Sequence, residues 1–211
     1  MLTEPETIIL PKVAPGDRMT DEEFFEFAPA DRKAELIGGI LVMPTPAFDP
    51  HEDRQGFLLT VLRAYVRHKA LGVVRGSHTA VHLQSGENYE PDLLFVAAER
   101  EQIVRREGVF GPPDLVIELL SPGTANYDWG IKRRVYAQSG VRELWLIDPN
   151  GLDGSAFFQR DEGGLKEVTM TDGLLRSLAV PDFYVRAAWL WPESGNLPDE
   201  IAVLKELGVY A

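Results

Sequence analysis

The chain has 211 residues, 45% of them hydrophobic and 26% charged, an ordinary balance for a soluble globular chain of one domain or one domain with a small annex, and unlike a disordered or membrane-embedded one. Lys plus Arg minus Asp plus Glu gives 21 − 33 = −12, which opposes broad adhesion to phosphate backbones and leaves room only for a local basic patch. Zero cysteines exclude disulfides, thiolate metal sites and a cysteine nucleophile.

The N-terminus "MLTEPETIILPK" lacks the basic segment of a secretory signal, and no apolar run approaches the ~20 residues of a membrane helix, so a cytoplasmic protein is expected. Residues 1–20, with Pro5, Pro11, Pro15 and Gly16, read as an extended arm ahead of a single domain over 21–211. "MTDEEFFEFA" opens a short helix with Thr20 as N-cap and Glu23 three positions later. "AELIGGILVM" reads as two strands joined by Gly38-Gly39, with Glu35 at the start of the first. From Asp49 to about Lys69, Leu58, Val61, Leu62, Tyr65 and Val66 recur at helical spacing, and Gly72 is expected to stop that helix.

"VVRG" and "TAVHLQ" follow as strands, and "ENYEPDLLFVAA" as a firmer one. "EREQIVRREGVFG" is read as a short helix or a flexible flap, and "PDLVIELL" as a buried strand. A helix is predicted from roughly Tyr127 to Gln138, ended by Gly140, and "ELWLIDP" is another apolar strand. This order predicts an α/β (α+β) fold, a mixed sheet flanked by helices. Beyond Pro149, "GSAFFQR", Gly163-Gly164 and "LKEVTM" predict an antiparallel hairpin, and "PDEIAVLKELG" a closing helix.

Glu118 stands inside the apolar run of "PDLVIELL", where an unpartnered ionised carboxylate is costly. It must be protonated, paired with an Arg or Lys as a core glutamate, or coordinated to a metal. Asp114 shares its strand and face, but four residues at ~3.3 Å each separate the two by ~13 Å, too far to share one hard cation. Asp92, opening the preceding strand, can lie beside Glu118 if the two strands are neighbours. Phosphodiester chemistry also asks for a cation near the attacking water. Leu120 stands two positions after Glu118, so the strand supplies no lysine and the next candidate is Lys132, in a column with Asp128 and Tyr136. The plainer reading of Lys132 is a surface lysine paired with Asp128.

Pro91-Asp92, Glu118 within "DLVIELLSP" and then Lys132 resemble the PD-(D/E)XK, restriction endonuclease-like, nuclease superfamily with its lysine moved from the strand to the next helix. More narrowly, "AELIGGILVMPTP", "YEPDLLFV", "PDLVIELLSPGTANYDWGIKRRVYAQSGVRELWLIDP" and "FFQRDEGGLKEV" resemble the Uma-two family of endonucleases. The resemblance implies a metal-dependent phosphodiester hydrolase acting on DNA. Asp92 and Glu118 would hold Mg²⁺ or Mn²⁺, Lys132 would stabilise the developing charge, and Glu35 would complete the metal shell. His51 falls where the family often shows histidine and is read as a capping or supporting residue. Arg100, Arg105, Arg106, Arg133 and Arg134 are candidates for a basic rim, and a homodimer is expected from the need to cut both strands of a duplex. A catalytically silent nuclease-fold module and a hydrolase of small phosphoesters stay open beside this reading.

Overall fold

Two six-stranded sheets and a small ribbon organise this computed structural model, which describes residues 18–28, 33–43, 49–84 and 86–210. In chain order the strands are β1 (Glu35–Ile37), β2 (Ile40–Val42), β3 (Gly72–Gly76), β4 (Val81–Gln84), β5 (Glu87–Tyr89), β6 (Leu93–Ala97), β7 (Val104–Arg105) and β8 (Gly108–Phe110). They continue with β9 (Leu115–Leu119), β10 (Glu143–Ile147), β11 (Ala156–Asp161), β12 (Gly164–Val168), β13 (Leu174–Arg176) and β14 (Tyr184–Arg186). The first sheet runs β2-β1-β5-β4-β8-β7, the second β12-β11-β10-β9-β6-β3, and β13 pairs with β14. Both large sheets are mixed: β9 and β10 are parallel, as are β4 and β8, whereas β6 is antiparallel to β9. A parallel pair needs a crossover, and the helix over 125–139, called here the site helix, supplies it for β9 and β10.

The central strands β6, β9 and β10 of the second sheet are buried on both faces, so they read as near-continuous apolar runs. On one face Leu115, Ile117 and Leu119 join Phe57, Leu58, Val61, Leu62 and Tyr65 of the long helix Asp49–His68. On the other, Val116, Leu144 and Leu146 pack with Val135 and Tyr136 of the site helix and with Ile37 and Tyr89 of the first sheet. Strand alternation sends Glu118 to this second face, into the layer between sheet and helix.

Local signals explain several boundaries. Thr20 and Glu23 form the capping box of the helix Asp21–Phe27, with Glu23 N–H donating to Thr20 Oγ1 at 3.2 Å and Thr20 N–H to Glu23 Oε2 at 2.8 Å. Gly38 and Gly39 turn the β1-β2 hairpin with φ of 59° and 79°, a pair of left-handed residues that glycine adopts without strain. A Cβ on Gly38 would meet Ile131 Cδ1 at 3.0 Å, so the hairpin turn lies directly on the site helix.

Three expectations change. "ENYEPDLLFVAA" is not one strand: β5 belongs to the first sheet and β6 to the second, and the chain changes sheets over Glu90-Pro91-Asp92. Proline has no N–H to give a ladder, which is the physical reason for a break there. Gly72 does not stop the long helix; Ala70, at φ 53°, ends it, and Gly72 opens β3. "EREQIVRREGVFG" is a 3₁₀ turn, Ala98–Ile103, followed by the β7-β8 hairpin. Of the arm, residues 1–17 lie outside the described residues, while Met19 is buried and its N–H donates to Gly39 O at 2.8 Å.

Candidate active site

The sheet change at Pro91 builds the first half of the site. Antiparallel β6 and β9 pair Leu93 with Ile117 and Leu94 with Val116. Continuing that register by one residue sets Asp92 opposite Glu118, because 92 + 118 equals 93 + 117. The N–H of Leu119 donates to Asp92 Oδ2 at 2.8 Å, which fixes the carboxylate at the strand edge. Lys33 Nζ donates to Asp92 Oδ1 at 3.0 Å, and His51 Nε2, from the first turn of the long helix, lies 3.4 Å from Oδ2.

The site helix builds the second half. Its turns are Ala125–Tyr127, a π segment Asp128–Lys132, and Arg133–Ser139, closed by Gly140 in the left-handed region at φ 99°. In a regular α-helix residues four apart advance by more than one full turn, so a column of three drifts sideways. A π segment holds more residues per turn and offsets that drift. Asp128, Lys132 and Tyr136 therefore all point inward, and Lys132 is only 1% exposed. Lys132 Nζ lies 2.7 Å from Glu118 Oε1, 3.0 Å from Glu35 Oε1 and 3.0 Å from Asp128 Oδ1. Tyr136 donates its hydroxyl to Glu118 Oε1 at 2.7 Å, and the N–H of Glu90 donates to Glu35 Oε1 at 2.8 Å.

Burial and pairing oppose each other throughout this cluster. Burial pushes Glu118 up to about 8 against the pull of Lys132, with Asp128, Asp92 and Glu35 adding like charge. Asp128 is raised for the same first reason. Burial alone would lower Lys132, but Asp128, Glu118 and Glu35 outweigh it and hold the ammonium well above its ordinary value. Burial would raise Asp92, yet Lys33 and His51 hold it well below the usual carboxylate range. Lys132 thus stays charged, while burial favours the protonated form of Glu118.

The structure brings together Asp92, Glu118, Lys132 and Glu35, and sets His51 beside them. Glu35 is 1% exposed and grips Lys132, so it is not an exposed hairpin residue. Asp114 sits at the other end of β9, accepting from Ala97 N–H at 2.9 Å and from Arg100 Nη1 at 2.8 Å. Arg100 is committed there, donating also to Pro112 O, and so does not rim the cleft. Arg105 lies over the Phe110 ring at 4.6 Å, and Arg133 and Arg134 lie on the outward face of the site helix.

Sequence reasoning missed Lys33 and Glu90. Lys33 stands two residues before Glu35, the spacing that puts extended residues on one face, and that alternation was the available clue. Its side chain is 21% exposed, against 2% for Lys132, so it is the cation nearer solvent. Glu90 is pushed up to about 7 by burial, with Lys33 opposing.

Among the described residues no three His, Asp or Glu side chains stand as a preformed ligand set. The donor chemistry nonetheless suits a hard divalent ion: two carboxylates face each other across adjacent strands, where burial and neighbouring like charges keep Glu118 reluctant to ionise. The fit lies at Asp92 and Glu118; Lys33 holds Asp92 Oδ1, and Glu35 is taken up by Lys132.

The Uma2 family, described as "Putative restriction endonuclease", matches residues 21–188. A crystal structure described as a putative nuclease belonging to DUF820 from Anabaena variabilis shares the fold, with a TM-score of 0.67 and 18% identity over 82% of this chain and 97% of that one. No curated protein matches.

Proposed function

The chain belongs to the Uma2 family of restriction endonuclease-like proteins, and from that membership we propose that it is a metal-dependent endonuclease whose centre is Asp92, Glu118 and Lys132. One observation carries the reading: Lys132 reaches back from the helix after β9 to within 2.7 Å of Glu118, supplying in space the lysine that Leu120 denies the strand.

In this reading Asp92 and Glu118 hold Mg²⁺ or Mn²⁺. When bound, the ion supplies a more acidic water and screens the charge of the scissile phosphate. Lys132, clamped by Glu35 and Asp128, keeps Glu118 in position and lends positive charge from behind. Tyr136 fixes the same carboxylate through its hydroxyl. Lys33, the more exposed of the two lysines, would be the cation to meet a phosphate. DNA is the proposed substrate by analogy with the fold.

The test is nicking of supercoiled DNA with Mg²⁺ or Mn²⁺ and with EDTA, for the wild type, Glu118→Gln and Lys132→Met. Metal-dependent nicking lost in both variants is expected; equal nicking by wild type and Glu118→Gln refutes the assignment. A catalytically silent nuclease-fold module is favoured by one observation, that Lys33 and Lys132 already occupy oxygens of Asp92 and Glu118. It predicts a folded wild type that cuts nothing with either ion.

A further inference from the structure

The site helix has a second, outward face that the carboxylate cluster does not use. Trp129, Arg133 and Arg134, with Phe158 and Leu165 of β11 and β12, line an open groove of about 510 Å³. Trp129 is 37% exposed, whereas Trp145 and Trp189 are buried. Tyr127, two residues earlier, is equally open at 37%. The Arg133 guanidinium lies over the Phe158 ring, 5.3 Å from its centroid, so one wall is a cation stacked on an aromatic face.

Charge separates this face from the rest of the molecule. The chain carries a net −12, yet the ionisable side chains of residues 125–139 that face outward are Tyr127, Arg133 and Arg134. The helix's acid, Asp128, and its lysine, Lys132, are turned inward and paired with each other. The residues lining the groove include no carboxylate, and the acid that flanks it is Glu167, opposite Phe158 in the β11-β12 ladder. A positive, aromatic, open groove on an acidic protein complements a polyanion that also offers flat rings.

We propose that this groove is a binding site for an unpaired stretch of nucleic acid, with Trp129 stacking a base and Arg133 and Arg134 meeting the phosphates. Stacking on an open indole requires a base whose face is free, which selects single strands over an intact duplex. Trp129 follows Asp128 and Arg133 follows Lys132, so a strand held outside is anchored to the same helix that carries the cleft's lysine. The inference rests on the nuclease reading for its biological sense, but its test does not need cleavage.

Fluorescence anisotropy of a dye-labelled oligothymidylate and of a matched duplex, with full-length protein in EDTA, measures the binding. Trp129→Ala is expected to weaken single-strand binding about 5- to 100-fold, the scale of one lost base stack, and Trp129→Phe to recover part of it. Arg133→Ala/Arg134→Ala should lower the slope of log K against log salt by about 1.4, two phosphates at about 0.7 each for a single strand. Unchanged affinity in Trp129→Ala overturns the proposal, as does an equal loss from Arg106→Ala, an exposed arginine outside the groove. A wild type that nicks plasmid but does not bind the oligonucleotide also overturns it and leaves the nuclease reading standing; loss of metal-dependent nicking with binding intact does the reverse.

Discussion

Replacing Glu118 by glutamine should change how stability depends on pH more than how large it is at low pH. In the folded chain burial holds Glu118 at about 8, against 4.5 for the free side chain. The folded state therefore binds the proton more tightly than the unfolded state, so this group's contribution is complete below about 4.5 and is lost as pH rises through about 8. At about 1.4 kcal/mol per pH unit the full window is on the order of 5 kcal/mol, and roughly 3 kcal/mol is already lost at pH 7. The Glu118→Gln side chain keeps an oxygen for the Tyr136 hydroxyl, and Lys132 keeps Glu35 and Asp128, so the amide removes the titration without emptying the site. Urea unfolding in EDTA at pH 5, 6, 7 and 8 measures it. Wild type should lose stability steadily across that range, and the variant should lose several kcal/mol less. Glu90, held at about 7, adds a slope common to both proteins and cancels in the difference. Parallel curves would refute the claim that Glu118 is held protonated by its burial.

Lys132→Met should destabilise the fold by about 3–5 kcal/mol at pH 7, because buried Glu35 and Asp128 lose their cation, and the loss should shrink at pH 5 because burial already raises Asp128 and favours its protonated form; chemical denaturation at both values checks it. Lys33→Met removes the ammonium from Asp92 Oδ1, so the metal-free protein should melt lower while millimolar Mn²⁺ raises its melting temperature more than it raises that of the wild type; equal shifts would mean that Lys33 does not compete for the ion. Tyr136→Phe leaves Glu118 without its hydroxyl donor and should cost about 1–3 kcal/mol in the same unfolding assay.

The site was partly legible because its residues break local rules. A glutamate in an apolar strand, a Pro-Asp at a strand start and a lysine in step with Asp128 each stand out against a periodic background, and strand parity alone sends Glu118 to the helix-covered face. What periodicity does not encode is which sheet a strand joins. "ENYEPDLLFVAA" reads as one run, although Tyr89 and Leu93 belong to different sheets. The π segment at Asp128–Lys132 leaves no composition signature, since it answers to packing in the finished fold. Arg100 illustrates the same limit: its partner, Asp114, is 14 residues away in sequence and was visible only as another acid.

The seam between the sheets also sets when the site can exist during folding. Lys132 and Glu35 are 97 positions apart, and their contact needs the hairpin of the first sheet, the β6-β9 pair of the second and the crossover helix to be in place together. Contacts closing loops of that length form late, after local turns and helices. A chain caught part-way through folding, or a truncation that keeps only one sheet, therefore carries scattered carboxylates and no assembled centre. In a refolding experiment any cleavage activity should return in step with the slowest long-range contact and lag behind helix signal.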